Sequence, residues 1–196
     1  MTLLATAVIN EQVRKYAVPD FNRKLDPALY LLDPFEFTTR YLLGSYLCSA
    51  AGGVFTAGMV TEAEVYIGSC DKACHAYPNK KTPRTEVMFR QGGCAYVYFV
   101  YGMHSQFNVV VSPAGTANAI LIRSLEPLAG LDIMSQRRKT DKLKNLTTGP
   151  GKLCQALGIS SKLHSGEKLD GSLLWLSPAD REYPHCAVPR IGIDYA

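Results

Sequence analysis

The sequence predicts an α+β fold in a single domain: a small, mainly antiparallel, curved sheet flanked by helices, with a protruding β-hairpin. Three observations carry that reading. Residues 61–68, "TEAEVYIG", alternate in character, so as extended chain they set Glu62, Glu64 and Tyr66 on one face and Ala63, Val65 and Ile67 on the other. Residues 92–112, "GGCAYVYFVYGMHSQFNVVVS", hold two β-rich runs joined at "YGMHSQ", the pattern of a hairpin. Apolar stretches with helix-capping residues stand on both sides of these strands. With 196 residues, 47% of them hydrophobic, the chain is long enough to bury one core.

In chain order, residues 1–25 are expected to be an N-terminal arm, irregular or partly helical, ahead of a domain spanning 26–196. "MTLLATAVIN" lacks the basic start of a secretory signal and soon meets Glu11, Arg14 and Lys15. No stretch approaches the ~20 apolar residues of a membrane helix. The six cysteines are therefore expected to be reduced thiols, in the cytoplasm and nucleoid of a bacterium or the nucleus of a eukaryote. "LDPFEFTTRYLLGSYL" from 32 to 47 predicts a helix, with Asp33 as N-cap, Pro34 in the first turn and Leu42, Leu43, Tyr46 and Leu47 as its apolar side. Gly52 and Gly53 make a turn before a strand from Val54 to Ile67. A polar loop follows, with a short helix near Glu86 to Arg90, and then the hairpin. A third strand is expected over 118–125, a helix over 128–139, and another helix opening at Gly149.

The net charge of +4 is mild, but its distribution is informative. Residues 137–152 read "RRKTDKLKNLTTGPGK", with six Lys or Arg against one Asp141, and residues 79–84 read "NKKTPR". Each run alone is compatible with a solvated loop; two beside an aromatic-rich segment favour a polyanionic partner.

Several residues in this layout are candidates for chemistry. Glu64, with Glu62 and Tyr66 on its face, fits either a solvent-facing sheet or a site built on carboxylates and a phenol. Tyr96 and Tyr98 share a face by strand parity; Tyr96 reads as core and Tyr98 as a pocket wall. Tyr101, beside Gly102 at the hairpin turn, is a surface ring or a wedge of the kind minor-groove proteins insert between base steps. Asn108 lies among Phe107, Val109, Val110 and Val111, so its amide needs partners or costs about 1–3 kcal/mol. Arg123, inside "AILIRSL", needs a carboxylate or phosphate for a similar reason. Cys70, Cys74 and His75 are spaced Cys-x3-Cys-His without a second pair, which favours packed thiols over a zinc site.

Taken together, "TEAEVYIG", "DKACHAYPNKKTPR", "YVYFVYGMHSQFNVVV", "AILIRSLEPLAG" and "TGPGKLCQAL" resemble the signature blocks of the alkyladenine (3-methyladenine) DNA glycosylase family. The likeness runs in order from near Leu42 to "PRIGID" at 189–194. It implies a base-excision-repair enzyme, without metal or cofactor, that acts as a monomer on double-stranded DNA and not at membranes. Such an enzyme flips an alkylated or deaminated purine (3-methyladenine, 7-methylguanine, ethenoadenine or hypoxanthine) into a pocket and hydrolyses its N-glycosidic bond. On matching positions, the resemblance implies Glu64 as the carboxylate that activates water, with Arg123 at the floor of the site. It implies Tyr66, His75 and Tyr98 around the flipped base, Asn108 against the guanine 2-amino group, and Tyr101 as the intercalating residue. Lys80, Arg84, Met103 and Lys152 are implied beside the DNA backbone. No Lys is marked as a Schiff-base nucleophile, so a monofunctional glycosylase is expected.

The chemistry agrees with that assignment. Cleavage builds positive charge on the sugar, so one carboxylate can both stabilise the cation and deprotonate the incoming water. Alkylation at N3 or N7 makes the purine cationic, which aromatic walls favour, and a damaged base is cheaper to unstack. Two departures from the family pattern stand out. "EAEVY" replaces the usual Glu-Thr-Glu-Ala-Tyr, and the sequence reads "YA" after "RIGID" where relatives continue into an aromatic strand, so that strand is expected to be lacking at the sheet edge. Two other readings compete. A glycoside hydrolase would use Glu62 and Glu64, ~6.6 Å apart along a strand, yet both point the same way, whereas that chemistry needs carboxylates on opposite sides of the sugar. A non-catalytic nucleic-acid-binding module would bind with similar salt sensitivity but release no base.

Overall fold

Alternating side chains and matched registers build the strands that organise this molecule. The computed structural model describes the backbone of residues 3–7, residues 19–190 and Ile193. Its strands are β1 Leu3–Ala7, β2 Tyr46–Ser49, β3 Thr56–Ile67, β4 Ala95–Val100, β5 His104–Val111, β6 Asn118–Ala129, β7 Leu174–Ser177 and β8 His185–Pro189. All pair antiparallel in one sheet of order β4, β5, β6, β3, β1, β8, while β2 pairs with β3 and β7 off that path. Helices α1 Pro34–Phe37, α2 Leu131–Arg138, α3 Pro150–Leu157 and α4 Ser161–His164 are short.

Strands β3 and β6 pair along most of their length, with register shifts on either side of Glu62. Such bulges bend a strand and sharpen its twist, so the sheet curls where the site is built. One face of the sheet, carrying Ala63, Val65, Phe107, Val109, Ile120 and Ile122, packs with Leu153, Cys154 and Leu157 of α3 in the main core. The opposite face gathers Tyr96, Val110 and Ala119 under Cys74, Ala76 and Met88 of the 68–92 loop. A third cluster joins Tyr46, Cys48, Met59 and Trp175 with Phe21, and there Trp175 stacks on Phe55 with ring centroids 5.8 Å apart.

Several expectations change. Asp33 does cap a helix, its Oδ1 accepting from the Phe35 and Glu36 amides, but the helix over 32–47 is not continuous. It ends in a π turn at Thr38–Leu42, and Tyr46 and Leu47 belong to β2. The break falls at Gly44, whose φ of 83° is left-handed and where a Cβ would come within 2.3 Å of the Tyr183 ring. Strand β3 begins at Thr56, not Val54, and β6 runs on to Ala129. Leu3–Ala7, expected in an irregular or helical arm, is a strand between β3 and β8; residues 8–18 of that arm lie outside the described residues. Ile191, Gly192 and Asp194 of the "PRIGID" block also lie outside them. Among the described residues no helix is long and apolar enough to cross a membrane.

Candidate active site

Cross-strand register assembles the site. Glu64 of β3 pairs with Leu121 of β6, Leu121 with Asn108 of β5, and Asn108 with Tyr96 of β4. Residues in such a row project to the same face. One step along, Tyr66, Ala119 and Val110 form the next row.

The carboxylates are not the solvent-facing pair that alternation alone allowed. Glu64 is only 1% exposed. Its Oε2 accepts the Tyr66 hydroxyl at 2.7 Å, and its Oε1 lies 3.1 Å from Arg123 Nη1. That Oε1 is buried and has no in-line hydrogen-bond partner. Arg123 Nε donates to Glu62 Oε1 at 2.7 Å, so the guanidinium bridges the two glutamates. Burial alone would lower the Arg123 pKa, but the Glu62 hydrogen bond and both carboxylate charges raise it overall. Burial first, then the Glu64 charge and hydrogen bond, raise the Tyr66 pKa and keep its hydroxyl a donor.

Beside this pair lies a cavity of about 270 Å³, walled by Tyr66, Tyr96, Tyr98, His75, Asn108 and Gln106, among others. Glu64 does not line it directly; its carboxylate meets the wall at the Tyr66 hydroxyl. That volume is just below the roughly 300–1,000 Å³ of ligand pockets and suits one small planar group. A larger hollow of about 410 Å³ has Tyr30 as its sole aromatic among the described lining residues and lacks the carboxylate–phenol arrangement.

The walls are tied together. His75 Nδ1 lies 3.0 Å from the Tyr96 hydroxyl and Nε2 lies 3.2 Å from Arg84 Nη2. A guanidinium can only donate, so Nε2 is the acceptor and the ring proton sits on Nδ1. His75 is exposed as a residue, but desolvation of its ring against the tyrosines, and secondly the Arg84 charge, push its pKa down to about 4. The His75 ring meets Tyr98 edge-on with centroids 4.5 Å apart, and Arg84 lies 5.3 Å over Tyr98. Tyr98 donates to Gln106 Oε1 at 2.6 Å. Asn108 Nδ2 donates to the Tyr96 carbonyl at 3.0 Å, which supplies the partner its buried amide requires.

Most of the expected residues therefore converge. Tyr66, His75, Tyr98 and Asn108 line the cavity, Glu64 joins it through the Tyr66 hydroxyl with Arg123 paired to that carboxylate, and Arg84 braces the wall. Tyr101 lines the rim and is 88% exposed. Lys80 and Met103 are exposed and do not line the cavity, and Lys152 is half-buried in the first turn of α3.

Residues 30–196 match the family model described as methylpurine-DNA glycosylase. A protein of Bacillus cereus named "Putative 3-methyladenine DNA glycosylase" is 44% identical over 182 residues, covering 87% of this chain and 88% of that protein. A Bacillus anthracis protein of the same name is 43% identical, with the same coverage of 87% and 88%. The chain belongs to the methylpurine-DNA glycosylase family. It is accordingly a DNA glycosylase, a hydrolase of N-glycosyl bonds.

Within this glycosylase, several site residues escaped the sequence reading. Tyr96, read as core, is buried yet also lines the cavity and holds His75. Gln106 and Ile193 complete the wall. Asp71 and Arg190 form a buried ion pair beside Tyr66. The signal for Arg190 was present: an arginine in the apolar "VPRIGI" raises the same question as Arg123 in "AILIRSL". Cys74 lines the wall too, and burial pushes its thiol up to about 11, so it packs there as a small apolar group. Among the described residues no three His, Cys, Asp or Glu side chains are grouped to hold a metal.

Proposed function

We propose that the cavity receives a damaged purine turned out of duplex DNA and that Glu64 activates the water that replaces it on the sugar. The observation that carries this is Glu64 itself: a buried carboxylate beside an aromatic cavity, with Oε2 accepting the Tyr66 hydroxyl and Oε1 ion-paired with Arg123 at 3.1 Å. The carboxylate accepts the water proton as the C–O bond forms and the C–N bond breaks. The same charge stabilises the cationic sugar. Arg123, bridging Glu62 and Glu64, holds the carboxylate in place.

Tyr66, His75 and Tyr98 stack on the base, and Asn108 faces its edge and disfavours a guanine 2-amino group. A neutral His75 adds no positive charge to the cavity, so 3-methyladenine, cationic in DNA and released as a neutral base, suits it well; 7-methylguanine shares that charge but carries the 2-amino group that Asn108 opposes. Ethenoadenine and hypoxanthine are the neutral members of the substrate range, and each departs as an anion that takes up a proton from water. Tyr101 fills the gap left in the duplex, while Lys80, Arg84, Met103 and Lys152 lie along the backbone. With no lysine serving as nucleophile, the reaction stops at an abasic site. The protein works as a monomer, and its substrate draws it to the nucleoid of a bacterial cell.

The decisive test is Glu64→Gln on duplexes carrying a single lesion. Removing a general base typically costs about 10²–10⁴-fold; base release should fall by at least that range's lower bound while duplex affinity is kept. Unchanged release would remove Glu64 from the mechanism. No release by the unaltered protein from any lesion would favour a non-catalytic binding module.

A further inference from the structure

Arg190 follows β8 and reaches back to the loop over the site. Its Nη1 and Nη2 donate to Asp71 Oδ2 and Oδ1, both at 2.8 Å, with the two side chains 1% and 6% exposed. Its guanidinium carbon stands 4.6 Å from the centroid of the Tyr66 ring. Tyr66 thus carries a fixed cation on one side, lines the cavity, and donates its hydroxyl to Glu64. Holding an aromatic wall upright does not require this. Apolar packing serves as well, and burying an ion pair is often no better for stability than hydrophobic replacement.

We propose that the Arg190–Asp71 pair sets the electrostatic character of Tyr66 and thereby the balance between cationic and neutral lesion bases. This rests on the reading that an everted purine stacks on Tyr66. An aromatic face attracts cations through its electron density. A guanidinium already seated against the ring opposes a second cation through it, and Asp71 offsets part of that opposition. The pair therefore tempers the ring's preference for cationic purines and lets neutral ones compete. Neither residue touches the reacting atoms; both act through Tyr66.

The experiment compares single-turnover release of 7-methylguanine, a cation, with release of hypoxanthine, a neutral base, from otherwise identical duplexes. Asp71→Asn leaves the cation behind Tyr66 uncompensated, so the ratio of cationic to neutral release should fall about two- to fivefold. Arg190→Met leaves a carboxylate there, so the ratio should rise by a similar factor, while Arg190→Lys stays near the unaltered value. Asp71→Asn and Arg190→Met break the same link, so a merely structural role moves the ratio the same way in both, or not at all. Either result overturns the proposal. Should a single variant fail to fold, the double variant Asp71→Asn/Arg190→Gln keeps amide hydrogen bonding without charge. Its ratio should rise, and an unmoved ratio overturns the proposal equally. Failure of the unaltered protein to release either base would defeat the stacking reading itself, and is visible without any variant.

Discussion

His75 shows how much of the site depends on single side chains holding one protonation state. In the unfolded chain its proton binds near the usual 6.5, whereas in the folded protein binding waits until about 4. Between those values the unfolded state carries the extra proton, so stability declines as pH falls from 6.5 towards 4 and this group adds no slope above or below. Two measurements check this. An NMR titration should show the His75 ring resonances steady from neutral pH to about 5 and shifting near 4. Melts of His75→Gln should lose less stability across that window than the unaltered protein. A midpoint near 6.5 would mean that neither the desolvation of the ring nor Arg84 acts as described. At this scale the sequence was readable where a residue type was out of place, as with Asn108 among valines or Arg123 among isoleucines and leucines, because a buried polar group demands a partner. It was unreadable where the partner is remote: Asp71 and Arg190 meet across 119 positions.

The element that carries most of the DNA reading is the β4–β5 hairpin. Tyr101 and Gly102 both have left-handed φ, 53° and 66°, and the Met103 amide returns to the Val100 carbonyl at 3.2 Å. Consecutive positive φ values match the twist of the flanking strands, and glycine meets that demand freely at 102. Tyrosine does not, and keeping it left-handed at 101 costs about 1–2 kcal/mol. Tyr101→Asn, which tolerates that conformation, should therefore stabilise the fold by about 1 kcal/mol, measured by denaturant melts, while release from paired duplex falls more than release from a single strand. Equal losses on both substrates would show that Tyr101 is no wedge. The hairpin was legible because its strands are rich in β-branched and aromatic residues and its turn carries Gly102. The stretch 32–47 was not. Leu42, Leu43, Tyr46 and Leu47 fit a helix face, yet all four residues of β2 are buried, and a fully buried strand has no alternation to separate it from a helix.

Across the whole molecule, the antiparallel sheet and its polar inner row followed from the period of two in β3, but its edges did not. Strands β7 and β8 are short, and β1 pairs with β3 and with β8, the latter pairing Leu3 with Pro189 across most of the sequence. Local pattern contains no record of such closures. The same architecture puts the chain's one tryptophan in a cluster that, among the described residues, shares none with the cavity wall. Trp175 is nearly buried, stacked on Phe55 and donating its indole N–H to the Phe21 carbonyl. Its emission is thus a built-in gauge of folding that is blind to the ligand: adding lesion-bearing duplex should leave the spectrum where it was, and unfolding should shift it to the red. Denaturation curves can then be recorded optically with DNA present, without a label and without confusing occupancy with collapse of the fold.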